Sequence, residues 1–92
     1  MKLGNEEVIE KMKDLSGWNI SEQFIEKKYE FKDFSAAYGF ISRIALLSEK
    51  LDHHPDWSGV YNKVNIKLST HSAKGITIKD IEMATEIDKL VQ

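Results

Sequence analysis

Residues 34–51 have the sequence FSAAYGFISRIALLSEKL, and the spacing of its apolar side chains predicts a helix over the whole stretch. At roughly 100° per residue, the side chains form one stripe and a second stripe beside it: Phe34, Ala37, Tyr38, Ile41, Ala45 and Ser48 in the first, and Ala36, Phe40, Leu47 and Leu51 in the second. Together the stripes cover roughly 200°, about twice the arc that one core surface requires. Because a domain of 92 residues has little interior to surround a helix, we expect this helix to pack on its own sheet and on another subunit.

Alternating patterns on both sides of this helix predict β-strands. Between residues 18 and 31, apolar side chains share one face and charged side chains the other, while Ser21-Glu22 could turn a short hairpin. Between residues 57 and 70, the predicted buried face contains Val60, Val64, Ile66, Leu68 and Thr70. The segment Tyr-Asn-Lys at 61–63 fits either a strand or a tight turn.

Helices are also predicted at the two ends of the chain. The first runs from Glu6 to about Leu15, with Asn5 as its N-cap. The last begins at Thr77, which forms a T-x-x-D capping box with Asp80. The predicted element order is α-β-β-α-β-β-α, so the predicted fold class is α+β with an antiparallel sheet.

Composition limits the classes of protein to which the chain can belong. It has 92 residues, a formal net charge of −2 and no cysteine. The length predicts a single domain over residues 1–92, and the near-neutral charge argues against a nucleic acid or an anionic membrane as a partner. The lack of cysteine excludes disulfides and thiol catalysis. Because no apolar run is long enough for a membrane span and no signal-peptide core is present, we expect a soluble domain in the cytoplasm.

The three histidines lie in two short segments that could form one site. His53 and His54 lie between Asp52 and Pro55, directly after the long helix, and His71 follows the last predicted strand. Imidazole exchanges protons near neutrality because its unperturbed pKa is about 6.5. Pro55 disfavours helical geometry at His54, so the chain must leave the helix there. His71 can reach the same place if the sheet packs against the helix.

Each candidate residue also has a plainer interpretation. A single histidine in a loop is usually solvated, Asp80 is explained by its capping box, and Glu49 fits a solvent-facing helix position. Trp57 could simply be a core residue. Three histidines could also hold a catalytic zinc ion. However, adjacent side chains such as His53 and His54 diverge, and the H-x-x-x-H spacing is absent, so we predict no metal site.

Several motifs in a fixed order resemble those of the pterin-4a-carbinolamine dehydratases. They are EKLDHHPDW at 49–57, VYNKV at 60–64 and LSTH at 68–71, and the likeness extends from about residue 15 to residue 88. Ile76 stands where the family commonly has leucine, which is a conservative difference. The resemblance implies a four-stranded antiparallel sheet with three helices on one face. It also implies dimers or tetramers that form through the long helix and the sheet edges.

The activity that the resemblance implies is a hydro-lyase reaction without a cofactor. The enzyme would dehydrate 4a-hydroxytetrahydrobiopterin to quinonoid dihydropterin in tetrahydrobiopterin recycling. Matching positions imply that His54 is the main acid/base, that His53 and His71 support it, and that Asp52 and Asp80 orient the imidazoles. The implied substrate-binding residues are His53, His54, Pro55, Trp57, Thr70, His71, Ser72 and Ala73.

Two other functions remain open from the sequence. The chain could be a protein-binding module of the dimerisation-cofactor or transcriptional-coactivator type, since some animal members of the family act on a homeodomain transcription factor in that way. The long helix would then bind the partner protein. The other function is a metal hydrolase that uses the three histidines.

Overall fold

The computed structural model describes residues 1–91, and within them it confirms an α+β fold with three helices and a four-stranded antiparallel sheet. The order is α-β-β-α-β-β-α, as predicted. The helices are α1, Asn5–Lys11; α2, Phe34–Leu51; and α3, Ile78–Lys89. The strands are β1, Asn19–Ile20; β2, Ile25–Glu30; β3, Asp56–Val60; and β4, Lys63–Leu68. A single 3-10 turn, His71–Ala73, lies between β4 and α3.

The sheet has the strand order β1-β2-β4-β3, with its two longest strands in the middle. β2 and β4 are antiparallel, with Ile25 opposite Leu68 and Glu30 opposite Lys63. Because side chains alternate between the two faces of a strand, Ile25, Ile66 and Leu68 all point into the core. The β3 strand forms the edge beyond β4, and the short β1 forms the edge beyond β2.

Helix α2 has the predicted bounds, and its two caps account for them. At its start, the Asp33 carboxylate accepts a hydrogen bond from the backbone N–H of Ala36 at 2.8 Å, which satisfies a donor of the first turn. At its end, Asp52 adopts a left-handed conformation with φ 51°, and Pro55 follows shortly after. The histidine segment therefore leaves the helix where the sequence predicted.

The apolar arc of α2 is divided between the core and the surface. The buried side chains are Ala37, Phe40, Ile44 and Ser48. The predicted stripes left out Ile44, which is buried. Phe34 and Tyr38, which share a stripe with the buried Ala37 and Ser48, are more than half exposed. The sheet covers only one side of this helix, so helical periodicity alone could not separate the two sides.

The connection between β3 and β4 is a two-residue turn, Tyr61-Asn62. The Asn62 side-chain amide donates to the Phe31 carbonyl at 2.7 Å, and this bond attaches the turn to the end of β2. The prediction that Val60 shares a face with Val64 was wrong. The turn pairs Val60 with Lys63 on the face away from the core, and Val60 is 77% exposed.

Helix α1 is shorter than predicted and has a different cap. Its N-cap is Gly4 rather than Asn5, and the Gly4 N–H donates to the Glu7 carboxylate at 3.1 Å. The helix ends at Lys11 rather than near Leu15, because the chain turns there while Leu15 still packs against the core. None of the helices within residues 1–91 has both the length and the apolar character needed to cross a membrane.

The core lies between the sheet and the helices, and α3 contributes much of it. This helix begins with the predicted capping box of Thr77 and Asp80. The buried side chains of its apolar face include Ile81, Ala84 and Ile87. Because α3 packs tightly, its first turn is held beside the end of β4 and the loop after α2, which is where the candidate site residues lie.

Candidate active site

The two adjacent histidines after α2 point to different carboxylates. His53 Nε2 lies 2.5 Å from Oδ1 of Asp80, which belongs to α3. His54 Nε2 lies 3.0 Å from a carboxylate oxygen of Glu49, in the last turns of α2. The divergence of the two imidazoles agrees with the prediction, and each imidazole acquires its own acidic partner.

Asp80 is buried at the start of α3, and its carboxylate has three hydrogen-bond partners. Its Oδ2 atom accepts the backbone N–H of Thr77 at 2.9 Å and the hydroxyl of Thr70 at 2.9 Å. Its Oδ1 atom faces His53, whose side chain is only 11% exposed. The position near a helix N-terminus also favours a negative charge. The arrangement suits a histidine held in one orientation by an ionised carboxylate.

His54 is 59% exposed and lies at the mouth of an apolar cavity of about 290 Å³ between α2 and β3. The cavity is lined by Ile41, Pro55, Trp57 and Ile66 among others. Trp57 is itself about half exposed, so it is not the core residue of the plainer interpretation. An accessible imidazole beside an apolar wall can exchange a proton with a flat ligand placed there.

His71 lies in the 3-10 turn after β4 and is exposed, as is Ser72. Ala73 ends this turn and is partly buried. The turn is closed by Thr70, whose backbone N–H donates to the Gly75 carbonyl at 2.8 Å. His71 lines a separate cleft of about 310 Å³, together with Thr70 and Lys74.

The structure therefore brings together some of the predicted residues and separates others. His53, Asp80 and Thr70 form one connected set. His54 and His71 line different clefts of the single chain. Asp52 is exposed and caps α2 through its backbone, and within residues 1–91 its carboxylate forms no hydrogen bond to an imidazole. In the same described part of the chain, no three His, Asp or Glu side chains are grouped so that they could hold a metal ion.

Two contacts of the site were not anticipated from the sequence. Glu49 was assigned to solvent, and it is indeed exposed, but it also contacts His54. The spacing of five residues between them, across the end of a helix, was the available signal. Thr70 was predicted on the buried face of a strand and as a substrate-binding residue, and its hydroxyl also contacts Asp80. No local pattern indicates this second contact, because the two residues belong to different elements.

A second, partly buried polar cluster lies farther along α3. Asp88 accepts hydrogen bonds from the indole N–H of Trp18 at 3.0 Å, the hydroxyl of Tyr29 at 2.7 Å and the ammonium of Lys27 at 2.9 Å. Burial first, then the hydrogen bond to Asp88 and the charge of Asp88, raise the pKa of Tyr29 far above its usual range. The cluster contains no predicted site residue and connects β2 to α3.

Comparison with known proteins agrees with the motifs. Residues 1–90 match the family described as "Pterin 4 alpha carbinolamine dehydratase". A protein of Prochlorococcus marinus strain NATL2A, named "Putative pterin-4-alpha-carbinolamine dehydratase", is 54% identical over 74 residues, which are 80% of this chain and 78% of the relative. One with the same name from strain MIT 9515 is 44% identical over 90 residues, or 98% and 94% of the two chains.

Two solved structures are also similar. The crystal structure of a transcriptional coactivator/pterin dehydratase from Brucella melitensis has a TM-score of 0.95 and 40% identity over 100% of both chains. A pterin dehydratase-like RuBisCO assembly factor of the alpha-carboxysome has a TM-score of 0.67 and 22% identity, over 79% of this chain and 84% of its own, and shows only a shared fold. The chain belongs to the pterin-4a-carbinolamine dehydratase family.

Proposed function

We propose that this protein dehydrates 4a-hydroxytetrahydrobiopterin to quinonoid dihydropterin by histidine acid/base catalysis, in tetrahydrobiopterin recycling. Membership of the family supports a pterin dehydratase. The observation that carries the mechanism is the pairing of each adjacent histidine with a carboxylate, His53 with Asp80 and His54 with Glu49. A carboxylate partner orients an imidazole and stabilises its protonated form, as proton transfer requires.

The reaction balances with proton transfers alone. The bond between C4a and its hydroxyl oxygen breaks, the oxygen keeps the electron pair, and a protonated imidazole supplies the proton with which it leaves as water. The lone pair of N5 forms the new double bond to C4a. A base then removes the proton of N5. General acid–base catalysis of this kind contributes about 10²–10⁴-fold to a rate.

Each site residue has a role in this proposal. His54 is the main acid/base, since its imidazole is accessible beside the apolar cavity and is oriented by Glu49. His53 supports it at the C4a carbon, and His71, which lines a separate cleft of the single chain, is given a supporting role on the family motif alone. Asp80 orients His53 directly. Asp52 contributes negative charge beside the histidines without a direct bond. The pterin ring is bound by two groups: Trp57 with the backbone of residues 53–55, and the backbone of residues 70–73.

The rate of dehydration of freshly made 4a-hydroxytetrahydropterin, followed by ultraviolet absorbance, tests this function. We expect the wild-type protein to accelerate the reaction and His54→Ala to lose about 10²-fold or more of kcat. His71→Ala serves as the comparison, with a smaller loss expected from a supporting group. Full kcat in His54→Ala would show that the main acid/base has been misassigned. No acceleration by wild type would contradict the enzyme itself.

A protein-binding function on the same fold is the second candidate. It is favoured by the exposed apolar side chains on the outer side of α2, among them Phe34, Tyr38 and Leu46.

We propose that a second copy of this chain covers that surface in a homo-oligomer, with the sheet edges as further contacts. Capture of a different protein through this surface, by a chain without dehydratase activity, would favour the coactivator type instead. The cytoplasmic location and the single domain over residues 1–92 stay predictions.

A further inference from the structure

A series of buried hydroxyl groups ends on the Asp80 carboxylate. The hydroxyl oxygens of Thr77 and Thr70 are 2.8 Å apart, and Thr70 Oγ1 lies 2.9 Å from Oδ2 of Asp80. Thr70 is 8% exposed and Thr77 is 4% exposed. A hydroxyl has one proton, and Thr70 donates its proton to Asp80. The proton between the two threonines must therefore come from Thr77.

The two oxygens of Asp80 consequently have different tasks. Oδ2 accepts both the Thr70 hydroxyl and the Thr77 N–H. These two donors stabilise an ionised carboxylate, which can only accept hydrogen bonds. Oδ1 is directed at Nε2 of His53 at 2.5 Å. Beside an ionised carboxylate, which can only accept, the proton in that short contact lies on Nε2 of His53.

We propose that Thr70 is a positioning residue whose hydroxyl holds Asp80 so that Oδ1 keeps His53 protonated on Nε2, with the lone pair of the neutral ring on Nδ1. The inference rests on the proposed function, in which His53 supports proton transfer at the pterin. In a neutral imidazole only the nitrogen without a proton can accept one. The tautomer therefore determines which side of the His53 ring can act as a base.

Helix capping does not account for the Thr70 contact. A capping box requires only the residue at the N-cap and the residue three positions later, here Thr77 and Asp80. Thr70 lies outside α3, before the turn that carries His71, and its carbonyl accepts the Ala73 N–H of that turn at 3.1 Å. The Thr70 hydroxyl therefore connects the His71 turn to the carboxylate that orients His53.

The test compares Thr70→Val, which has nearly the same shape but no hydroxyl, with Thr70→Ser, which keeps the hydroxyl. The matched control is Thr85→Val. Thr85 is a partly buried residue of α3, and its hydroxyl donates to the Ile81 carbonyl of the same helix. Nitrogen-15 NMR of histidine-labelled free protein reports the tautomer of His53. We expect Nε2–H in the wild type, Thr70→Ser and Thr85→Val, and a mixture of tautomers in Thr70→Val.

Kinetics provide the second measurement. We expect Thr70→Val to lower kcat by about 10-fold or more, as for the loss of a hydrogen bond to a charged group, with KM changed less than twofold. Thr70→Ser should restore kcat to near the wild-type value. A wild-type tautomer in Thr70→Val would overturn the proposal. Equal losses in Thr70→Ser and Thr70→Val would also overturn it, because packing of the methyl group would then be the cause.

Two features keep this inference separate from folding and from the proposed activity. If Thr70→Val does not fold, Thr70→Ala is measured in its place. The wild-type protein also provides a test by itself, because a His53 that carries its proton on Nδ1 overturns the inference. The tautomer is recorded without substrate. A protein that does not dehydrate the pterin, but whose His53 tautomer depends on the Thr70 hydroxyl, would contradict the proposed function and support the positioning role.

Discussion

Asp80 uses its two carboxylate oxygens for two purposes. One oxygen completes the capping box at the start of α3, and the other contacts His53. The capping role is visible in the local sequence because it involves residues three positions apart. The imidazole contact joins residues 27 positions apart. A side chain that is fully explained by local structure can therefore still contact a candidate site residue far away in the sequence.

Asp80→Asn tests the second role. The amide can keep its oxygen toward the capping donors only by turning its NH₂ group toward Nε2 of His53, which then has to accept. We expect kcat for pterin dehydration to fall by about 10²-fold and the free energy of unfolding to fall by about 1–3 kcal/mol. Steady-state kinetics and urea unfolding measure these changes. Glu82→Gln, an exposed carboxylate on the same helix, should change neither. A kcat within twofold of wild type would contradict the role of Asp80.

Tyr29 gives the protein a specific response to alkaline pH. Burial, with the Asp88 contact, raises its pKa in the folded state, so the unfolded chain ionises first, near pH 10. Above that pH the folded state holds one more proton, and stability falls as pH rises, by about 1.4 kcal/mol per unit. Urea unfolding between pH 8 and 11.5 measures this slope. Tyr29→Phe should be less stable at pH 8 but have a shallower decline above pH 10; an unchanged slope would contradict the assignment.

At the scale of elements, the turn between β3 and β4 combines a strained residue with a stabilising one. Tyr61 has φ 53°, a left-handed conformation that costs a residue with a side chain about 1 kcal/mol. Asn62 offsets this by donating to the Phe31 carbonyl. The turn also sets the pairing of Val60 with Lys63. Its geometry therefore determines which side chains of the edge strand β3 lie on the same face of the sheet as Val64 and Ile66.

Substitutions at the two turn residues should have opposite effects on stability. Tyr61→Gly relieves the left-handed strain, and we expect the free energy of unfolding to rise by about 0.5–1 kcal/mol. Asn62→Ala removes the bond to Phe31 and should lower it by about 1 kcal/mol. Both are measured by urea unfolding at one protein concentration, so that assembly does not contribute. A loss of stability in Tyr61→Gly would show that the Tyr61 side chain makes contacts that outweigh the strain.

At the scale of the whole molecule, apolar side chains remain uncovered on α2 and at the β3 edge. Leu46 is 73% exposed, and Phe34, Tyr38 and Val60 are also more than half exposed. Phe34 and Tyr38 lie side by side, with ring centroids 6.1 Å apart, and exposed apolar patches on a small domain mark sites of association. We therefore predict that the wild-type protein sediments as a dimer or tetramer.

Leu46→Glu should weaken this assembly, because it places a charge in the covered surface. The control is Ile9→Glu on α1, where an apolar side chain is 53% exposed but lies on a different helix. Sedimentation velocity over a range of concentrations should show smaller species for Leu46→Glu and the wild-type species for Ile9→Glu. A monomeric wild-type protein at high micromolar concentration would contradict the interface.

Much of the architecture was predictable because its signals are local. The bounds of α2 follow from helical periodicity and Pro55, and the start of α3 follows from its capping box. Two failed predictions, the cap and the end of α1, are local, and the others concern relations between elements. Ile44 was missed because the sheet decides which side of α2 is buried, and Val60 was misplaced because the length of a turn decides the register.

The sequence by itself determined the fold class, the family and the position of the histidines at the exit of a helix and the end of a strand. Only the tertiary structure decided that His53 contacts Asp80, that His54 contacts Glu49 and that Thr70 supports Asp80. The physical reason is that caps, turns and periodicity act over a few residues of chain, whereas the partner of each imidazole depends on how α2, β4 and α3 pack together.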